Sequence, residues 1–456
     1  MILQINKPVT IIIFVILLFT IIVLSRALLL RNKRIKKIIT NYTDKTFEHK
    51  ENLFKLIKID TPTFIEGKSY NEFKKEIEKQ FPLIHTFFVK EKIGGNSIYT
   101  YKTNIENAPT ILFSSYIDYN GNHQNAYIKD DLICGNGTFD SKSLLYVTFR
   151  AVEDLLREKE KLDVNLTLVV TNDDEANKDG LKKIISLFLK KGVFFNLVIE
   201  EGSGIIDPEL YNLRSNYALI GLGVSGQIKL RFESKKKESL VSFISEINKP
   251  HFFKMRIDNK SIKVLGNVSK DMVFRDRFFL NNAWLFRLKT RKIIETKYHE
   301  IDKMLKTTVN IKDIEENDGL YFTDMEFELS THDKPADILL QVDDLMEKLQ
   351  IDYKILDVKE GSRITKTYNY GYKLVKDAIN KVFNEVYIAP VIVNKISEKR
   401  YFDKVSDCVI RFSPLYYDLN AYNSSTTDRS YIDSKSLENG IEFYKYILEN
   451  YKIKAG

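Results

Sequence analysis

The sequence predicts an α/β protein: a largely parallel-sheet domain of catalytic type, a smaller α+β lid domain inserted into it, and one transmembrane helix in front. Three observations lead there. Between residues 110 and 204, apolar runs at 111–118, 132–140, 166–175 and 194–201 each end in acidic residues, and helix-like stretches at 144–162 and 181–190 lie among them. That alternation is the pattern of a parallel sheet. From residue 218 the pattern changes to strands and two helices that suit a small antiparallel layer. Residues 9–25 are apolar or small without a break, close to the ~20 that span a bilayer.

Taken in order, the chain opens on that apolar run. It extends weakly past Arg26 to Leu30; Arg26, Arg31, Lys33, Arg34, Lys36 and Lys37 follow it, and only Lys7 precedes it. A single-pass membrane anchor is the reading. A cleaved signal peptide is the alternative, but no small-x-small cleavage site follows, and dense positive charge after the apolar core is unusual there. The charge asymmetry by itself would put the large domain on the cytoplasmic side. The same cluster supplies part of the net charge of +8 and points to lipid headgroups. No stretch pairs basic residues with aromatics as a nucleic-acid module would, so nucleic acid is excluded as a partner. With 456 residues, 44% hydrophobic and 29% charged, the chain is globular and long enough for two domains. Cys134 and Cys408 are the only cysteines and encode neither a disulfide framework nor a zinc finger. Cys134, in a strand-like run, reads as a small core residue.

Residues 47–59 are amphipathic and predict a helix, 70–81 a second helix, and 98–103 a strand. The central runs then bring Asp118, Asp140, Asp173, Asp174, Glu175, Glu200 and Glu201 to strand ends. Carboxyl ends of parallel strands share one crevice, so these acids gather on one side. Gathered carboxylates repel unless a cation neutralises them or some keep their protons. A metal site is one reading, and ordinary strand-end and turn acids are the other. Beyond them, 218–232 predicts a strand, 239–247 a helix, 307–311 and 320–329 strands, and 335–349 a helix. The layout is an anchor with its basic flank at 1–38, an α/β domain at 39–220 and 346–456, and the lid at 221–345.

Gly135-Asn136-Gly137-Thr138-Phe139-Asp140-Ser141-Lys142 resembles the Gly-Arg-Gly-x-x-Asp-x-Lys signature of the co-catalytic zinc peptidases of family M20, which include aminoacylase, acetylornithine deacetylase and carboxypeptidase S. Ser115-Tyr116-Ile117-Asp118 stands where that family has Gly/Ser-His-x-Asp, Asp173-Asp174-Glu175 where it has Asp-Glu-Glu, and Glu200-Glu201-Gly202 where it has Asp-Glu-Gly. Four matches in register are far more specific than any one. Pro62-Thr63 resembles the close of the family's opening helix. Asn282-Ala283-Trp284-Leu285-Phe286, Thr307-Thr308-Val309, Ala389-Pro390 and Arg411-Phe412-Ser413-Pro414 resemble elements of the membrane-anchored carboxypeptidase S and N-acyl-amino-acid hydrolase branch. Members of that branch hold their domain on the lumenal or outer side, against the charge asymmetry, so the orientation stays open.

The resemblance implies a pair of zinc ions that supply hydroxide near neutral pH and polarise an amide carbonyl. It places Asp140 as the bridging ligand, Glu175 and Glu200 as terminal carboxylates, Asp174 at the general base, and Asp118 where an acid orients an imidazole. Tyr116 and Thr426 occupy the two imidazole positions. Neither is a good neutral-pH zinc ligand, because a phenol with pKa ~10 or an aliphatic hydroxyl must lose a proton to compete. The remaining oxygen donors suit Mg, Mn or Ca better than zinc. Asp174 is shorter than the family's Glu. No His follows 230–232 in Glu233-Ser234-Lys235-Lys236, and Glu328 replaces an Arg for the substrate carboxylate. Of the histidines, His123 is the candidate substitute ligand, with an exposed loop residue as the alternative; His85, His251, His299 and His332 carry no motif.

Three readings follow. One is an active metal-dependent amidohydrolase or carboxypeptidase acting on small peptides or acyl-amino acids. The second is a membrane-anchored pseudoenzyme that binds without hydrolysing, and the third is a structural protein. Impaired zinc hydrolysis is the favoured expectation, with a homodimer through the lid as the family-type assembly and no residue assigned to substrate binding.

Overall fold

The computed structural model describes residues 7–28, 44–63, 68–119, 123–139, 141–172, 179–208, 215–249, 252–257, 265–266, 269, 272–298, 301–302, 305–330, 332–383, 386–393, 399–424 and 430–452. The chain divides into two units. One comprises Met1–Ile35, Tyr211–Ser215 and Gly226–Lys359, the other Lys36–Leu210, Asn216–Ser225 and Glu360–Gly456.

Helix α1 (Lys7–Leu28) opens the chain. The larger unit begins with α2 (Asp44–Ile57), α3 (Lys68–Gln80) and α4 (Pro82–Phe87). Apolar residues at helical spacing decide the buried faces: Leu53, Leu56 and Ile57 of α2 and Tyr70, Phe73 and Ile77 of α3 join the main core. Pro82 starts α4, where a missing N–H is tolerated. The carboxylate of the buried Glu153 accepts from Leu83 N at 3.1 Å and Ile84 N at 3.0 Å, satisfying amides that the helix itself leaves unpaired. Then come β1 (Val89–Ile93), β2 (Asn96–Tyr101), β3 (Thr110–Tyr116), β4 (Tyr127–Lys129), β5 (Leu132–Cys134), α5 (Ser141–Lys159), β6 (Asn165–Thr171), α6 (Asp179–Lys190), β7 (Leu197–Glu200), β8 (Ile205–Ile206) and β9 (Tyr217–Val224).

The smaller unit continues with β10 (Gln227–Ser234), α7 (Lys237–Ile247), α8 (Phe274–Asn281), α9 (Arg287–Lys297), β11 (Thr308–Ile311), β12 (Glu315–Asn317), β13 (Leu320–Glu328), α10 (Pro335–Leu349) and β14 (Asp352–Lys359). Its sheet is antiparallel, in the order β11-β13-β10-β14 with β12 on β13. Alternate residues Ile228, Leu230 and Phe232 of β10 are buried against Leu240 and Phe243 of α7 and Ile338 and Val342 of α10, the period of a half-buried strand. Glu328 closes β13 and accepts from Thr308 Oγ1 at 3.4 Å. One sequence expectation changes here. Residues 218–232 are two strands in two sheets, β9 and β10, parted at Ser225 and Gly226. β14 lies at the sheet edge with its side chains largely exposed, its charged and apolar residues alternating except at Leu356, where the pairing register shifts.

The chain returns through α11 (Tyr370–Val382), β15 (Tyr387–Val393), α12 (Lys399–Phe402), β16 (Val409–Arg411), β17 (Tyr416–Tyr417), α13 (Leu419–Ser424), β18 (Tyr431–Asp433) and α14 (Lys435–Asn450). The large sheet runs β1-β2-β6-β3-β7-β16-β9-β8-β17, with β15 on β9. Its centre is parallel: β6, β3, β7 and β16 pair in one direction, while β1 and β2 are antiparallel additions. Both faces are covered. Ile111 and Phe113 point into the core shared with α5 and α14, and Leu112 between them joins the core built by α6 and Phe402. Central strands of this kind therefore read as continuous apolar runs.

The expected strand run at 132–140 is not in that sheet. Only Leu132–Cys134 is extended, and it forms a separate antiparallel sheet, β18-β5-β4. The cause is local: Asp130, with φ 55°, turns β4 straight back onto β5. Cys134 and Cys408 are buried thiols.

Among the described residues no helix is long and apolar enough to cross a membrane. The side chains described in α1 are those of 11–26 and Leu28. Ile11, Phe14, Ile16 and Ile21 among them are more than half exposed, and Val23 is buried.

Candidate functional site

Parallel pairing aligns three strand ends. Tyr116 is the last residue of β3 and lies in register with Thr171, the last of β6; the Ile117 N–H extends that pairing by donating to Thr171 O at 3.0 Å. β7, on the other side of β3, ends at Glu200. Tyr116, Asp118, Asn172 and Glu200 thus stand at the carboxyl edge of neighbouring strands, as the apolar runs imply. Asp140, Asp173, Asp174, Glu175 and Thr426 lie outside the described residues. Among the described residues no group of three His, Cys, Asp or Glu is placed to hold a metal ion.

Asp118 is fully buried, and Thr63 Oγ1 donates to its Oδ2 at 3.0 Å. The Thr61-Pro62-Thr63 segment is laced to the loop after β3. Thr61 Oγ1 donates to Ile117 O at 2.6 Å, Thr63 N to Tyr119 O at 2.9 Å, and Tyr119 N to Thr61 O at 3.3 Å. Thr63 is therefore a positioning residue for Asp118. Its sequence signal was present in the Pro-Thr match, without a role attached. Asp60, at the start of the same segment, accepts from Tyr119 Oη at 2.5 Å and lies 3.3 Å from His123 Nδ1. His123 is 55% exposed, which fits the loop-residue alternative and leaves its Nδ1 engaged with Asp60.

The signature segment is a tight turn that launches α5. Thr138 Oγ1 donates to Gly135 O at 2.7 Å, and Ser143 Oγ to Thr138 O at 2.7 Å. Lys142 N donates to Gly137 O at 3.0 Å. Gly137 has φ +84°, and a Cβ there would stand 2.9 Å from Lys142 Cγ, so glycine is required on both counts. Gly135 N donates to Ser430 O at 3.0 Å, and β5 pairs Cys134 with Tyr431. The chain that follows Thr426 is thereby tied to the strand that precedes Asp140. Lys142, the signature lysine, is completely buried. Its Nζ donates to Ile59 O at 2.6 Å and lies 5.5 Å from the Phe73 ring centroid. Burial holds its pKa down to about 7, with Asp60 acting in the opposite sense.

Glu200 is buried beside an arginine. Arg411 pairs in register with it across β7 and β16, and Arg411 Nε lies 3.4 Å from Glu200 Oε1 with both side chains nearly inaccessible. The same guanidinium donates to Glu201 O and to Glu201 Oε2, each at 3.0 Å. In the sequence Arg411 stands only within an Arg-Phe-Ser-Pro match; its pairing with Glu200 follows from the strand register. Gly202 follows, and a Cβ there would meet the Arg411 backbone carbon at 2.4 Å.

The described donors do not fit an imidazole-ligated zinc pair. Position 116 offers a buried phenol, and Glu200 shares its charge with Arg411. His49, which no motif marks, is buried in α2 with Nδ1 3.0 Å from Tyr146 Oη. His85 Nδ1 lies 2.8 Å from Phe81 O. His332 belongs to the smaller unit, and His251 and His299 are outside the described residues.

Residues 118–450 match the model of a family described as Peptidase family M20/M25/M40. The N-fatty-acyl-amino acid synthase/hydrolase PM20D1 of Bos taurus is 23% identical over 441 residues, covering 88% of this chain and 87% of that protein. The probable carboxypeptidase S-like 2 of Dictyostelium discoideum is 22% identical over 446 residues, covering 88% and 84%. Among solved structures, the M20 family metallo-carboxypeptidase Sso-CP2 of Sulfolobus solfataricus superposes with a TM-score of 0.66 at 17% identity, over 89% of this chain and 99% of that one. This last likeness is one of fold.

Proposed function

The chain belongs to peptidase family M20/M25/M40, and from that premise we propose a membrane-anchored amidohydrolase-like protein whose crevice takes an acyl-amino acid or small peptide and whose zinc-dependent hydrolysis is impaired. The observation that carries the impairment is Tyr116. It is buried at the end of β3, at the position where the family's first imidazole belongs. A phenol there must lose a proton with an ordinary pKa of ~10 before it can ligate a metal. Thr426, at the other imidazole position, needs a still less accessible deprotonation.

The chain's own residues do three things in this reading. Thr63 fixes Asp118, the Gly135–Lys142 turn sets the start of α5, and Arg411 holds Glu200 and Glu201 at the end of β7. Any cation retained at Asp140, Glu175 and Glu200 meets oxygen donors, the chemistry of Mg, Mn or Ca. A second reading, an active hydrolase with such a cation, is favoured by Asp118: an acid with no orienting function left is nonetheless buried and hydrogen-bonded.

The anchor is supported by α1. Most of its described side chains are apolar and exposed, and the apolar or small sequence reaches back to Val9 and, past Arg26, weakly on to Leu30, with the basic cluster after it. A homodimer through the lid is supported by β14, an edge strand that exposes Tyr353, Ile355, Leu356 and Val358.

The test is hydrolysis of acyl-amino acids and dipeptides by the full chain, with Zn, Mn, Mg and Ca supplied in turn. Little turnover with zinc is the expected result. Ordinary turnover that disappears in Asp140→Ala would establish the active reading instead.

A further inference from the structure

Helix α1 does not stand apart from the smaller unit. It packs on α8, and two contacts fix the level at which it does so. The Phe19 and Trp284 rings meet edge to face with centroids 6.0 Å apart, and Asn282 Nδ2 donates to Val23 O at 3.0 Å and to Phe278 O at 2.9 Å. At ~1.5 Å per residue, Phe19 lies ~10 Å and Val23 ~5 Å along the helix axis from Arg26, the first charge after the apolar run. If Arg26 marks the headgroup boundary of a hydrocarbon layer ~30 Å thick, Trp284 sits well inside a leaflet of ~15 Å.

The surface around Trp284 has the composition that depth requires. Val273, Phe274, Trp284, Leu285 and Leu288 are all exposed, Leu288 to 81%. Asp276 is buried and held by Lys297 Nζ at 2.8 Å and Tyr298 Oη at 3.0 Å. Arg275, Arg287, Lys289 and Lys292 are exposed beside the apolar residues; long basic side chains of this kind reach back to anionic headgroups while their stems stay in the apolar layer. The buried amide of Asn282 donates to a carbonyl of each helix, as interhelical polar groups do in lipid.

We propose that the corner formed by α8, residues 282–286 and the start of α9 is embedded in the same leaflet as the C-terminal half of α1, with its apolar side chains among acyl chains and its basic side chains at anionic headgroups. The proposal rests on the anchor reading of α1, continues that interface onto the lid unit, and takes a bilayer containing anionic lipid as its partner.

Trp284 is the only tryptophan of the chain, so the full protein reports on its own depth. The chain is reconstituted in vesicles of phosphatidylcholine and phosphatidylserine that carry bromine at defined acyl positions, and retention after alkaline carbonate is measured in parallel. The expected result is retention, blue-shifted emission, and loss of most of the emission to lipids brominated within the leaflet, with iodide in the water having little effect. A retained chain whose emission is quenched by iodide and untouched by acyl bromine overturns the embedding and leaves the anchor standing. A chain released by carbonate overturns the anchor and the embedding with it.

Discussion

Arg411 and Glu200 occupy the same level of two adjacent parallel strands, with Nε 3.4 Å from Oε1 and both side chains shut away from water. An unpaired carboxylate in that place would be strongly disfavoured. Arg411→Met takes the guanidinium away from the buried Glu200 and from Glu201, and breaking a buried pair from one side costs ~3–5 kcal/mol. Denaturant unfolding of the full chain in detergent should register the loss. The double variant Arg411→Met with Glu200→Gln should recover a substantial part of it, and a double variant no better than the single would show that the pair is not what stabilises the strand ends.

Gly202 tests the same contact from the backbone. Its missing side chain allows the chain to pass Arg411 and Phe412, whose backbone atoms would stand 2.4 and 2.5 Å from a Cβ. Neither obstacle is a flexible side chain. Gly202→Ala should therefore destabilise the protein by at least ~1–3 kcal/mol, whereas Gly192→Ala, with open space around it and φ +63°, should show only the smaller strain of a left-handed residue.

Lys142 makes stability depend on pH in a predictable sense. Its folded pKa of about 7 lies below the unfolded value of ~10.4. Between those values the unfolded chain binds the extra proton, so stability rises as pH increases through that window, with a slope of at most ~1.4 kcal/mol per pH unit from this group. Unfolding free energies from pH 7 to pH 10 should show the rise in wild type relative to Lys142→Met. Parallel curves for the two proteins would refute it.

Zinc affinity offers a restoration experiment. Tyr116→His with Thr426→His should recover zinc binding, and the pair should exceed the sum of the single changes by ~1–3 kcal/mol, about 5–150-fold in affinity, if both ions share Asp140. Titration calorimetry on the full chain reads this directly. Tight zinc binding by the wild type would show that the phenol at 116 is no obstacle.

The parts legible in the sequence are those with short-range causes. β3, β6, β7, α6 and α10 follow from apolar periodicity and lie where it places them. β5 misled because the hairpin at Asp130 pairs Leu132–Cys134 with β4 outside the large sheet, and the extended run stops at Gly135, where the turn toward α5 begins. β14 does carry a strand's alternation, Asp352-Tyr353-Lys354-Ile355, but it breaks at Leu356, where the pairing register shifts, and the apolar residues stay exposed at the edge. At the site, Tyr116, Asp118 and Glu200 share the predicted edge, while Arg411 and Thr63 could be found only from register, since they meet their partners across long separations in sequence.

The larger unit is assembled from three separated stretches of chain, and the longest stretch of the smaller one, Gly226–Lys359, falls between the second and the third. On a ribosome this sets an order of events. β10 to β14 are complete before β16 exists, whereas β7 must wait for β16, made only after all of them, with Gly202 and Ser413 meeting across 211 positions. During that interval β7 presents an unpaired apolar edge, the condition under which nascent α/β chains aggregate. Shortening the chain from its C-terminal side by as little as β16 to α14 should therefore be more damaging to yield than removing the whole of β10 to β14, because the first leaves a sheet open through its middle and the second only closes a loop.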